Sequence, residues 1–226
     1  MKIGILMTGH APEIVQGELG DYDAMFARLL AGQGFAFERW DVVDEHFPPG
    51  PDAADGWLIT GSRHGAYEDH PWIAPLEALI RDIAQARRPL VGICFGHQIV
   101  AQALGGRVEK FAGGWAIGPT RYRIDGRDWC LNAWHQDQVT APPPGAQVVG
   151  HNEFCRYAAL RFEDAPILTV QPHPEFDATM LDRLIHHRGP GVVPQPLLDA
   201  AAARIDTPTD ADAFAGRIAT SLRQEG

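Results

Sequence analysis

Cys94 lies in Val91-Gly92-Ile93-Cys94-Phe95-Gly96-His97-Gln98, where an apolar run passes at once into a helical pattern. Glycine two residues before and two after the cysteine permits a sharp strand-to-helix turn that exposes the side chain between them. That is a nucleophile elbow with Cys in place of Ser. A cysteine so placed stands at a helix N-terminus, whose partial positive charge favours a thiolate. The free amide of Phe95 then points to where an oxyanion would develop. On its own the segment fits a nucleophile and a small buried hydrophobe equally well, since most free cysteines are the latter.

A thiol nucleophile needs a base, and the base needs an orienting group. Gln171-Pro172-His173-Pro174-Glu175 offers both. The segment follows the apolar run 167–170, so His173 should emerge at the same strand-end edge as Cys94, the edge where sites form in open α/β sheets. Alone, it reads as a surface turn with Glu175 starting a helix. Together with the elbow it reads as the base and the orienter of an acyl transfer.

The elements that must position these residues follow from periodicity. Residues 2–7, 36–41, 56–60 and 89–93 are short apolar runs, read as buried strands. Residues 21–34 and 71–88 carry apolar stripes at helical spacing, the second with Pro71 near its start, and 95–104 ends in Gly105-Gly106. Such alternation implies crossovers, a mostly parallel sheet and helices on both faces. The expected fold class is therefore α/β, a three-layer flavodoxin-like or Rossmann-like sandwich. Residues 107–170 read instead as a strand-rich extension, with β-like segments at 120–124, 129–134, 148–151, 157–162 and 167–171. Helix returns at 176–187. Residues 190–196 read as an irregular linker, and 200–204 and 211–223 as two tail helices that could cover a sheet edge or form a dimer contact. The domain division is 1–189 for the main body and 190–226 for a linker and tail packed on it.

The chain has 226 residues, enough for one sizeable core, and its 45% hydrophobic and 21% charged content is ordinary for a globular protein. A formal net charge of -10 disfavours nucleic acid and anionic membranes as partners. No run approaches the roughly 20 apolar residues of a bilayer span, and residues 1–7 are too short for a signal-peptide core. Three cysteines, Cys94, Cys130 and Cys155, do not make a disulfide framework, so a cytoplasmic location is expected. The ten histidines show neither His-Glu-x-x-His spacing nor a paired Cys-x-x-Cys, so no dedicated metal site is expected. Cys130 and Cys155 read as core residues. Of Trp115, Trp129 and Trp134, the first and last read as pocket residues and Trp129 as core.

Both motifs resemble those of class I (triad) glutamine amidotransferases: the segment 92–98 followed by Gly105-Gly106 their nucleophile motif, and 171–175 their His-Pro-Glu motif. Thr60-Gly61-Ser62 stands where that family has its glycine-rich oxyanion strand end. Trp134-His135-Gln136-Asp137 resembles the Ser-His-x-Asp segment of GMP-synthase amidotransferase domains, and the likeness is greatest to the stand-alone GMP-synthase-like branch, which includes plant γ-glutamyl peptidases. The resemblance implies Cys94 as nucleophile, His173 as general base then acid, Glu175 as its orienter, and the amides of Gly61 and Phe95 as oxyanion hole. It further implies that Gln98, Trp134, His135, Gln136 and Asp137 surround the bound glutamyl group, and that no cofactor is needed. Trp134, Ser62 and Ala116 depart from common family residues, which bears on the pocket rather than on the triad.

Three functions are compatible with this. One is an autonomous hydrolase of glutamine or a γ-glutamyl amine or peptide, favoured because the chain carries no Ser-Gly-Gly-x-Asp-Ser loop of an ATP pyrophosphatase. Another is a glutaminase subunit feeding ammonia to a separate synthetase chain. The third is a non-catalytic regulatory module on the same fold, against which the complete triad argues. Oligomeric state is not legible.

Overall fold

The computed structural model describes residues 1–223; the last three residues of the expected tail lie outside it. Its elements run β1 (Lys2–Leu6), α1 (Glu13–Leu19), α2 (Tyr22–Leu29), β2 (Ala36–Trp40), β3 (Gly56–Ile59), α3 (Ile73–Gln85), β4 (Leu90–Ile93), α4 (Phe95–Ala103), β5 (Arg107–Lys110), β6 (Ala116–Ile124), β7 (Arg127–His135), β8 (Asp137–Ala141), β9 (Ala146–His151), β10 (Ala159–Phe162), β11 (Ile167–Val170), α5 (Ala178–His187), α6 (Gln195–Ala202) and α7 (Ala211–Leu222).

Nine strands form one sheet in the order β2-β1-β3-β4-β11-β10-β9-β6-β7. The half from β2 to β11 is parallel; from β11 onward every pair is antiparallel. The parallel strands are buried on both faces, which is why they read as continuous apolar runs rather than as alternation. Alternation is present in the packing. Leu58, Val91 and Ile93 face the core under α2 and α7, while Trp57, Ile59 and Leu90 face the core under α3 and α4. Three layers result, as expected. The strand-rich region is the antiparallel half of the sheet plus a separate β5–β8 pair.

Several boundaries differ from the sequence reading. The segment 190–196 is not irregular throughout: Pro194 caps α6, and Pro196 sits in its first turn, where a missing N–H costs nothing. The helix expected at 200–204 is thus Gln195–Ala202. The last helix is core rather than cover: Phe214, Ile218 and Leu222 are fully buried, and the Phe214 ring meets Trp129 edge-on at 5.0 Å. Among the described residues no helix is long and apolar enough to cross a membrane.

Candidate active site

Strand β4 ends at Ile93, and Cys94 turns the chain with φ 53° and ψ −101°, a left-handed conformation rare for a residue with a side chain. Such a backbone costs roughly 1–3 kcal/mol and persists only where its surroundings impose it. Here they do. A Cβ on Gly92 would lie 2.6 Å from the Gly96 carbonyl oxygen, and one on Gly96 would run into the Ile59 carbonyl of β3. The Cys94 amide donates to Val170 O at 2.9 Å, ending the strand, and the Gln98 amide donates to Cys94 O at 3.1 Å, opening α4. The amides of Gly61 and Phe95 donate to no backbone carbonyl among the described residues. For Phe95 this is the orphan donor of a helix start.

His173 leaves the end of β11 and is held from the antiparallel half of the sheet. Its amide donates to Asn132 O at 2.8 Å, and Asn132 Nδ2 donates to Phe176 O at 2.8 Å. The Phe176 ring stacks on the imidazole at 3.9 Å and 7°, and Tyr22 stacks on Phe176 in turn. Nδ1 of His173 pairs with Glu175 Oε1 at 2.7 Å, and both side chains are buried. With Nδ1 so engaged, Nε2 is the ring nitrogen left for Cys94. Gly61 makes room for this ring: a Cβ there would stand 2.9 Å from His173 Cε1 and 3.9 Å from Cys94 Cβ. Burial opposes a charged imidazole. The neighbouring Cys94 and Glu175, the latter through its hydrogen bond, outweigh it, and His173 is pushed up to about 10. The arrangement sets a protonated imidazole beside Cys94, at the lip of a cleft.

That cleft, about 590 Å³, contains all five residues expected around a bound glutamyl group: Gln98, Trp134, His135, Gln136 and Asp137. Gln98 is nearly buried and already hydrogen-bonded. Its Nε2 donates to Asp137 O at 2.8 Å and to Gln171 Oε1 at 3.2 Å, while Gln171 Nε2 donates to Cys94 Sγ at 3.5 Å. The carboxamides therefore tie the β8 end to Cys94. His135 is buried and pushed down to about 3 by burial and by His173, so it is neutral. Burial likewise pushes His97 down to about 4. Trp115 packs edge-on to Trp134 at the cleft wall, whereas Trp129 is core. Cys130 and Cys155 are free and lie outside the cleft; Cys155 is buried but Cys130 only partly, so the expectation of a core residue holds for the first alone.

Sequence reasoning missed Tyr22, Asn132, Gln171 and Phe176. Phe176 directly follows the His-Pro-Glu segment and Gln171 precedes it, which is the one local signal that could have found them. Tyr22 and Asn132 arrive from α2 and β7 through tertiary packing alone.

Residues 49–188, more than half of the chain, match the family model described as Glutamine amidotransferase class-I. The chain belongs to that family. Gamma-glutamyl peptidase 2 of Arabidopsis thaliana is 29% identical over 187 residues, spanning 76% of this chain and 75% of that protein. A GMP synthase [glutamine-hydrolyzing] of Aromatoleum aromaticum is 33% identical over 156 residues, which are 59% of this chain but 29% of the synthase. A crystal structure of a glutamine amido transferase from Methylobacillus flagellatus superposes with a TM-score of 0.77 at 23% identity, covering 100% of this chain and 96% of that one, and so shares the fold.

Proposed function

We propose that this protein hydrolyses the γ-carboxamide of glutamine, or of a γ-glutamyl amine or peptide, through a γ-glutamyl thioester on Cys94. The observation that carries the reading is the strained elbow of Cys94 facing a buried His173 whose other nitrogen is fixed by Glu175. The Cys94 thiolate attacks the amide carbon, and the carbonyl electrons move onto oxygen. The amides of Gly61 and Phe95 donate to that oxyanion; fixed by the elbow and by the turn after β3, they act without reorganisation. The intermediate collapses, the C–N bond breaks, and the His173 imidazolium passes its proton to the leaving amine. Water then attacks the thioester, His173 takes its proton, the C–S bond breaks and glutamate leaves. Glu175 holds the ring and balances its charge throughout. Every proton and electron pair is handled by these side chains and water.

The Arabidopsis relative, similar over three quarters of both chains, supports an autonomous hydrolase. The synthase relatives, named as glutamine-hydrolysing, support the alternative of an ammonia supplier to a synthetase chain. We take residues 190–223 as part of the same folding unit, given how α7 packs, and the cytoplasm as its compartment, given the free thiols. Glutamate release by the isolated protein from glutamine and a panel of γ-glutamyl amines and peptides, beside Cys94→Ala, tests the reading. Release from one compound that the variant abolishes supports hydrolysis by this chain alone. Absence of release, with Cys94 still alkylated by a glutamine analogue, points to the missing synthetase. Absence of both leaves a non-catalytic module.

A further inference from the structure

The loop that leaves the Gly61 turn carries three metal-ligating side chains within a few residues, and the fold turns them toward one another. His70 Nε2 lies 2.8 Å from Glu68 Oε2, and His64 Nδ1 lies 3.5 Å from the same oxygen. One nitrogen or oxygen from each of the three falls within 4.8 Å of the others. The rings are not free to drift. His70 stacks at 10° on Trp72, which is almost wholly buried where α3 begins, and His64 packs edge-on to both rings. The loop is further pinned by the His64 amide donating to Ser62 Oγ and the Glu68 amide donating to Gly65 O. Two imidazoles and one carboxylate is a donor set of borderline softness that suits zinc and its neighbours in the first transition series over calcium or magnesium.

We propose that His64, Glu68 and His70 form a site for a divalent transition-metal ion of the zinc class, at the mouth of the cleft. Tetrahedral coordination at ordinary bond lengths sets donor atoms about 3.3–3.5 Å apart, which is the spacing already present between His64 and Glu68 and a small opening of the His70–Glu68 contact. The remaining position faces outward and takes water. Binding through Nδ1 moves the His64 proton to Nε2, and the exposed Arg63, whose Nε now donates to that nitrogen at 3.4 Å, swings away. His64 and Glu68 both line the cleft, so a bound ion ties the segment after Gly61 into one conformation and narrows the approach to Cys94.

The test uses the full chain carrying Cys94→Ser, which removes the catalytic thiol as a competing ligand. Calorimetric titration with Zn²⁺, and Co²⁺ titration followed by the visible absorption of a tetrahedral site, should show one saturable equivalent. His70→Ala on the same background should weaken Zn²⁺ binding by at least about 100-fold, since loss of a mere supporting partner of a ligand costs about 10- to 100-fold. Glu68→Gln should weaken it in the same sense, and metal-free circular dichroism spectra of all three proteins should coincide. Unchanged affinity in His70→Ala, or loss of all binding with Cys94→Ser alone, overturns the assignment.

Discussion

Gly61→Ala separates the position of the His173 ring from every other feature of the site. Gly61 is not in the left-handed region, so alanine introduces no backbone strain. The residue keeps its amide, so the proposed oxyanion donor is retained. What changes is one methyl group, placed 2.9 Å from His173 Cε1, where ordinary contact begins near 3.4 Å. The imidazole must therefore retreat by about 0.5 Å, out of a buried and close-packed place. A misplacement of about 1 Å costs on the order of 100-fold in rate, so half of that costs about 10-fold, or about 1.4 kcal/mol of transition-state stabilisation. Crowding costs stability as well, on the order of 1 kcal/mol. Steady-state glutamate release at saturating substrate reads the first quantity and urea unfolding the second. The expected signature is a fall in kcat with little change in KM. Full activity in Gly61→Ala would show that the working ring does not stand against Gly61, and would refute this account of the turn.

Three other expectations follow from the same geometry. Glu175→Gln removes the negative charge opposite Nδ1 and invites the wrong tautomer, so kcat should fall by about 10³–10⁴-fold with the fold intact; a loss under about tenfold would remove Glu175 from the mechanism. The raised pKa of His173 implies that its protonated form contributes stability that is whole below its ordinary value of 6.5 and is lost as pH rises toward about 10. The stability difference between wild type and His173→Gln, measured by urea unfolding, should therefore shrink between pH 6 and pH 10, and Cys94→Ala should lower the His173 titration seen by NMR; an unshifted titration would deny the coupling of His173 to Cys94. Phe214→Ala empties a wholly buried aromatic site against Trp129 and should cost about 3–5 kcal/mol; a loss under about 1 kcal/mol would show α7 to be a detachable cover.

The parallel half of the fold was legible because its strands are buried on both faces and its helices carry long apolar stripes. The elbow was legible for a steric reason: Gly92 and Gly96 are needed where backbones approach within a Cβ radius, and that requirement is written in residue type. Short elements held by distant partners were not legible. Among the described residues, helix α1 has seven residues and no side-chain cap, while β5 and β8 pair only with each other. Pro196 read as a breaker because the sequence does not show which turn of a helix a proline will occupy. In the site, the Cys94, His173 and Glu175 segments announce themselves through local motif chemistry. Tyr22 and Asn132 do not, because a stack on Phe176 and a bridge to the His173 backbone are made only when α2 and β7 fold against the sheet edge. The His64, Glu68 and His70 cluster was hidden differently. Its spacing matches no helical metal motif, and only the turn anchored by Trp72 brings the rings together.

The most direct measurement is to quench the wild-type protein with acid during turnover of glutamine or a γ-glutamyl compound and locate any adduct by peptide mass spectrometry. A γ-glutamyl group on the peptide that carries Cys94, absent from Cys94→Ala and discharged as glutamate in a chase, is the predicted result. Glutamate release with no adduct on Cys94, or equal release from Cys94→Ala, would contradict the account.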